Sequence, residues 1–362
     1  MEIELKKLGE ITTGNTPSKK DGSYWDSEDI CFVKPDGIAD EGITLINDSS
    51  EYISENARSK ARVVSKDAVF VTCIGSIGKI GIASSGDYAF NQQINVIEPN
   101  EKVLPRYLAY NLLYSKPRLE AIANAPVVPI INKTQFGDFK LNIEEDRAKQ
   151  AEIVSVLDKL TGIIESRKKE LESFDELIKA RFVEMFGSIK EEQSLGDISE
   201  FVTVGIANSA THAYAESGIP MLRNQNIKEN YLDDTDLIYI NPEFAAKYES
   251  KKLKENDIIV MRTGYPGVAC LVPKKYEGCQ TFTTLIVRLK ANNNPSYVCS
   301  YINSDLGKHF INAEKVGVAQ QNVGAKSLAQ MPIKIAPKEL QERYADFVKQ
   351  VDKSKVVALK AA

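Results

Sequence analysis

The chain repeats itself. Leu8-Gly9-Glu10-Ile11 returns as Leu195-Gly196-Asp197-Ile198, FVKPDGI (32–38) as MLRNQNI (221–227), and KDAVFVTCIGSIGKIGIA (66–83) as ENDIIVMRTGYPGVACLV (255–272). Farther on, Pro105 and Tyr107 match Pro295 and Tyr297, and the apolar KLNI (140–143) matches IKI (333–335) ahead of a charged helix. The spacing is about 190 residues, far beyond the period of a solenoid repeat, so it describes two copies of a whole domain. A length of 362 residues with 43% hydrophobic and 27% charged residues is enough for two independently cored domains.

The most regular stretch of the first copy, CIGSIGKIG (73–81), invites comparison with a phosphate-cradling loop. Both nucleotide fingerprints fail: the glycines lack the GxGxxG spacing, and Ile80 follows Lys79 where a P-loop requires Ser or Thr. In the second copy the same stretch reads RTGYPGVAC, which keeps Gly264 and Gly267 and loses the lysine and the third glycine. What persists is a turn between two strands, with glycines supplying positive φ. The residues on it vary between copies, Ser76, Ile77 and Lys79 against Tyr265 and Pro266, as in a binding loop on a rigid scaffold.

Other chemistries find little support. The start, MEIELKKLGEI, is unlike a signal peptide and no run approaches 18 apolar residues, so a cytoplasmic protein is expected. Five scattered cysteines without a CxxC pair argue against a disulfide framework and a zinc site, and His212 and His309 have no ligand-spaced neighbours. Asn241-Pro242-Glu243-Phe244 approaches an amino-methyltransferase tetrad, but its third residue is wrong and no glycine-rich cofactor strand precedes it. No clustered nucleophile or metal set appears, and no cofactor is expected.

Between the copies, Ile153, Leu157, Leu160 and Ile164, then Leu171, Phe174, Ile178 and Met185, step by four and three, with Arg167 and Arg181 at seam positions. This heptad pattern predicts a coiled-coil helix of roughly 50 to 60 Å that holds two domains apart. A weaker version closes the chain through Leu340, Tyr344, Phe347 and Val351. The expected fold class is α+β: two similar mixed α/β domains separated by long antiparallel coiled-coil helices, related by a pseudo-two-fold. The expected boundaries are 1–145 and 188–337 for the domains, 146–187 for the central helix and 338–362 for a short closing helix. Antiparallel packing would leave Ile153, Leu157, Leu160 and Ile164 uncovered, to be met by a second copy of the chain, a partner subunit, or the segment MEIELKKL.

TTGNTPS (12–18) followed by Tyr24-Trp25, the IGSIGKIGIA turn, FNQQI (90–94), the helix opening on Gln150-Ala151-Glu152-Ile153-Val154, and ARFVEMFG (180–187) occur here in that order. Together they resemble the DNA-specificity subunit of type I restriction-modification systems, over essentially the whole chain. The resemblance implies a non-catalytic subunit whose two domains each read one half of a bipartite, asymmetric site in double-stranded DNA, with the helices setting the gap. It also implies partners: two modification (methyltransferase) subunits, which bind S-adenosylmethionine and methylate adenine, and restriction subunits. The sequence departs from the family where its closing helix lacks an ARFVEMFG counterpart and where its second domain has VTVGIANSA in place of a TPS element.

A net charge of −4 and a pI near 5.6 argue mildly against DNA binding, but RSKAR (58–62), KYESKKLK (247–254) and Lys274-Lys275 are local basic clusters. Base reading calls for planar or forked side chains. The candidates are Lys34, Ser76, Lys79, Asn91, Gln92, Gln93, Asn132, Lys133 and Gln135 in the first copy. In the second they are Arg223, Asn224, Gln225, Lys252, Arg262, Tyr265, Gln320, Gln321 and Asn322, with 320–322 set opposite the slot of 132–135. Asn and Gln suit adenine, Arg223 or Arg262 guanine, and Lys79 and Lys252 phosphate. The rival readings are a coiled-coil adaptor without DNA and the specificity half of a fused methyltransferase or nuclease.

Overall fold

The computed structural model describes residues 1–123, 128–207, 211–314 and 322–360, and the chain divides into two compact units, Met1–Glu165 and Ser166–Ala362. In the first unit five strands lie in the order Gly9–Thr13, Ile94–Pro99, Val69–Thr72, Ile80–Ala83 and Ile43–Ile46, antiparallel except for the last pair. Alternation along Val69–Thr72 divides the work of its side chains. Val69 and Val71 pack toward α1 (Pro105–Tyr114), α2 (Lys116–Ile122) and α3 (Lys133–Asp138), among Leu108, Leu112, Leu119 and Phe136. Phe70 points the other way, edge-on to Phe90 and Tyr88, toward a second sheet of Tyr52–Ile53, Ile30–Val33, Tyr88–Phe90 and Val63–Val64.

α4 (Arg147–Phe186) leads from the first unit into the second. There the scheme returns: Ser199–Val204, Leu285–Leu289, Ile258–Val260 and Ala269–Leu271 form one sheet, and Tyr214–Ala215, Ile238–Ile240, Ile219–Leu222 and Gln280–Thr281 another. Ile258 and Val260 join the larger core cluster while Ile259 joins a separate one, the same division as Val69, Val71 and Phe70. The helices are α5 (Pro242–Ala246), α6 (Pro295–Asn303), α7 (Asp305–Glu314), α8 (Ala325–Ala329) and α9 (Lys338–Lys360). Each unit is also closed by a short antiparallel pair, Glu2–Glu4 with Lys140–Asn142 and Glu192–Ser194 with Pro332–Lys334. The opening residues therefore pair with 140–142, and the Met1 ammonium donates to the Ile143 carbonyl at 2.7 Å. MEIELKKL is not available to cover the helical seam.

Each long helix starts from the same kind of junction, one in each unit. Gln150, fully buried, accepts from the Leu104 amide at 2.8 Å and donates to the carbonyls of Lys102 and Glu144. Gln341 accepts from the Asn294 amide at 2.9 Å and donates to the Ala336 carbonyl. Each buried amide thus ties the first turn of a long helix to the residue just before α1 or α6.

Within the second unit, α9 runs antiparallel to the end of α4. Tyr344 meets Phe182 and Phe186, Phe347 lies under the Arg181 guanidinium, and Lys355 pairs with Asp175 at 2.5 Å. The buried apolar positions of α4 are Ile178, Phe182 and Phe186, where the heptad reading placed Ile178, Arg181 and Met185. A nearly straight helix drifts relative to a strict seven-residue repeat, and the drift moves Arg181 to the rim, paired with Glu184. Earlier in α4, Ile153, Val156, Leu160, Ile163 and Ile164 are exposed and Leu157 is half-buried. α9 has 23 residues against 40 in α4.

Phe186 is the centre of this packing, 4.4 Å from the Tyr297 ring and 5.4 Å from that of Tyr344. Phe186→Ala should destabilise the second unit by about 3–5 kcal/mol through the cavity it leaves. Val183→Ala, at an exposed position one face away, should stay within about 0.5 kcal/mol. Calorimetry checks this: the first substitution should lower the transition of the second unit and leave that of the first in place.

Candidate nucleic-acid interface

The glycine stretch forms the same turn in both units. The Gly78 amide donates to the Thr72 carbonyl at 2.9 Å and the Thr72 amide to the Lys79 carbonyl; the Gly267 amide donates to Met261 at 2.9 Å and the Met261 amide to Val268. Gly75, Gly78, Gly264 and Gly267 all have positive φ, 76° to 101°, a region in which a side chain is strained. Gly81 is different. It sits in the strand Ile80–Ala83, where a Cβ would strike Ile46, so the third glycine of CIGSIGKIG serves packing and the turn does without it in the second unit.

A second chain segment is laced to the base of each turn. Ile74 bridges Ile130, with the Ile131 amide donating to the Cys73 carbonyl; Thr263 bridges Asn322, with the Val323 amide donating to the Arg262 carbonyl. Asn322 therefore stands where the first unit has Ile130, and the position of the Asn132 cap is taken by Gly324, the residue before α8. This replaces the expected match of 320–322 with 132–135. Gln320 and Gln321 lie outside the described residues.

A third segment, the corner FNQQI, also has a structural counterpart that the sequence comparison missed. The parallel pairs Val33 with Phe90 and Leu222 with Thr281 place Phe90 on Thr281, and the ladders of Ile94–Pro99 and Leu285–Leu289 place Ile94 on Thr284. Asn91, Gln92 and Gln93 thus correspond to Phe282 and Thr283, one residue fewer. The chain-length change and the absence of shared side chains hid this. Thr283 holds φ at 56°, unusual for a β-branched residue, with its amide bonded to the Ile206 carbonyl.

The side chains on these segments differ in how free they are. In the first unit Ser76 is exposed at the turn tip. Lys79 is only 12% exposed, pairs with Asp40 at 2.9 Å and donates to the Pro35 carbonyl, so its charge is already answered, and it holds the Asp40 carboxyl below its ordinary pKa. Lys34 pairs with Glu51, which raises its own pKa. Asn91 is buried and bonds Gln93 twice, closing the corner, while Gln92 is exposed and accepts from Thr16 at 3.0 Å. Asn132 and Gln135 cap α3 reciprocally, each accepting the other's amide. Lys133 between them is exposed, with no ion-pair or hydrogen-bond partner among the described residues.

In the second unit Tyr265 is 78% exposed at the turn tip. Asp236 accepts from Arg223 at 3.1 Å and from Gln225, and Asn224 donates to the Thr263 hydroxyl at 2.7 Å. Lys252 pairs with Glu249 at 2.7 Å. Arg262 is half-buried and has no partner among the described residues. Its counterpart, Cys73, is a buried thiol with its pKa pushed up to about 12 by desolvation. Cys73, Cys270, Cys279 and Cys299 are buried, Cys31 is half-buried, and all five are free. Among the described residues no helix is long and apolar enough to cross a membrane, and no group of His, Cys, Asp and Glu is arranged to hold a metal.

Comparison with known proteins bears on this doubled scaffold. The pattern of the type I restriction modification DNA specificity domain matches residues 1–173 and again 189–361. The specificity subunit of the type I restriction enzyme MjaIX from Methanocaldococcus jannaschii is 25% identical over 72% of this chain and 65% of its own length. That of EcoR124I/EcoR124II from Escherichia coli is 29% identical over 49% and 48%. The chain thus spans from about half to just under two thirds of these relatives. In fold, it is similar to the S subunit of a type I restriction-modification system from M. genitalium, with a TM-score of 0.57 at 13% identity over all of this chain and 91% of that one. A chain from work on complex assembly and conformational transition of the type I R-M system gives 0.55 at 15% identity, over all of this chain and 92% of that one. With the domain pattern present once in each half, the chain belongs to the family of type I restriction modification DNA specificity proteins.

Proposed function

We propose that the chain is the sequence-reading, non-catalytic subunit of a type I restriction-modification complex, acting in the cytoplasm, with each unit reading one half of a bipartite site in double-stranded DNA. The observation that carries this reading is the pairing of a conserved frame with altered tips. Turn and laced segment recur in both units with the same backbone bonds and the corner recurs one residue shorter, while the side chains they present change from Ser76, Ile130 and Gln92 to Tyr265, Asn322 and Thr283. Domain limits at 1–145 and 188–337, with helical segments 146–187 and 338–362, suit such a reading. In an assembly with modification subunits, replacing residues 12 to 140 by those of another family member should change one half of the methylated sequence and leave the other intact. Sequencing methylated DNA reads this directly; a change in both halves would refute independent reading.

Phosphate contact needs a cation that is not already paired. Lys133 meets that condition better than Lys79 or Lys252. Lys133→Ala should weaken binding to all sequences and reduce the salt dependence by about one ion. Lys79→Ala should leave the salt slope unchanged, because Lys79 already neutralises Asp40. Titrations at several salt concentrations distinguish the two.

The exposed stripe of Ile153, Val156, Leu160, Ile163 and Ile164 is best suited to helices of the modification subunits, two of which, with restriction subunits, complete the proposed assembly. Leu160→Lys should abolish co-purification of the modification subunits while the melting profile stays that of the parent chain. Retained assembly, or concentration-dependent self-association of the parent chain that the lysine removes, would assign the stripe elsewhere.

A further inference from the structure

Among the described residues, five buried side-chain polar atoms have no hydrogen-bond partner: Arg223 Nε, Asn224 Oδ1, Arg262 Nε, Gln280 Oε1 and Tyr344 OH. Three of the five belong to two short segments of the second unit joined by the Asn224–Thr263 hydrogen bond. Buried polar groups are rarely left unpaired in a folded chain, and a concentration of them marks a place completed by something else. Arg262 is the extreme case. Arg58, Arg106, Arg167, Arg181, Arg223 and Arg288 each pair with a carboxylate, whereas the half-buried Arg262 side chain meets neither a carboxylate nor a carbonyl among the described residues.

The first unit shows what the same frame looks like without this cluster. Lys34, Pro35 and Cys73 stand at the positions of Arg223, Asn224 and Arg262. Lys34 is bound to Glu51, Pro35 has no polar side chain, and Cys73 is a buried thiol. The unpaired atoms are therefore a property of the second site and not of the scaffold.

Their chemistry selects a ligand. Two guanidinium groups donate and one amide oxygen accepts. A phosphate presents acceptors only, and Asn224 Oδ1 would oppose it. The major-groove edge of a G·C pair presents guanine N7 and O6 as acceptors and the cytosine amino group as donor, the complement of this set. In the free chain Asp236 occupies the Arg223 and Gln225 donors, a carboxylate standing where a base acceptor would bind. We propose that Arg223, Asn224 and Arg262 read a G·C pair in the second half-site, a specificity for which the first unit has no equivalent.

This rests on the DNA-specificity reading above, and the test separates the two. The chain, assembled with its modification subunits, is given a randomised duplex library, and the methylated products are sequenced. The result expected is a bipartite sequence with a fixed guanine in the half that residues 12 to 140 do not govern. Replacing that guanine by 7-deazaguanine, which lacks N7, should weaken binding of the unaltered protein roughly 5- to 150-fold. Arg262→Lys keeps the charge and loses the fork. It should make that position degenerate while the other half-site stays fixed. A bipartite site without such a guanine, indifference to 7-deazaguanine, or retained guanine preference in Arg262→Lys would overturn the assignment and leave the DNA-specificity reading standing. Enrichment of no sequence at all would overturn both.

Discussion

The architecture depends on one buried amide used twice. Gln150 and Gln341 each sit in the first turn of a long helix and accept a backbone amide from the residue just ahead of α1 or α6, while returning donors to nearby carbonyls. An amide with both ends engaged in a dry environment has little freedom, so it fixes the direction in which the helix leaves its unit. Coiled-coil pairing is then a consequence. In the second unit the emerging α9 lies back along α4 and encloses Phe182, Phe186 and Tyr344. An apolar residue at position 150 or 341 would bury equally well but would strand the amide and carbonyls that the glutamine now satisfies.

A second constraint operates at the opposite end of the sheets. Backbone hydrogen bonds, not side chains, define the turn and the segments laced to it, so the frame persists although the residues on it share almost nothing. Charge follows the same logic. Lysines that look available in the sequence are frequently engaged, as Lys34 is by Glu51, Lys79 by Asp40 and Lys252 by Glu249. An acidic chain can still bind a polyanion when a few cations, such as Lys133, have no partner among the described residues.

Much of this was legible in the residues. Repetition fixed the number of domains, and the loss of Lys79 and Gly81 in the second copy showed that the glycine stretch was a turn and not a nucleotide site. What escaped was set by contacts distant in sequence. Asp40 neutralises Lys79 from 39 positions away, which no local pattern announces. The match of Asn322 to Ile130 is a matter of backbone bridges, and the match of Asn91–Gln93 to Phe282–Thr283 involves a change of length, so neither leaves a residue-type signature. The extent of the α4 helix was right and its seam was wrong in phase at the end, because a strict heptad assumes a supercoil that this helix does not keep as far as Phe186.

Gly75 and Gly78, with Gly264 and Gly267, have an evolutionary consequence. They carry the whole stereochemical burden of the turn, so Ser76 or Tyr265 at its tip is free to change without disturbing a core side chain. A mutation there alters what is presented and leaves folding almost untouched, whereas a mutation at the flanking strands does the reverse. Drift can therefore explore new preferences at these tips while the protein remains stable, and few steps separate one preference from the next.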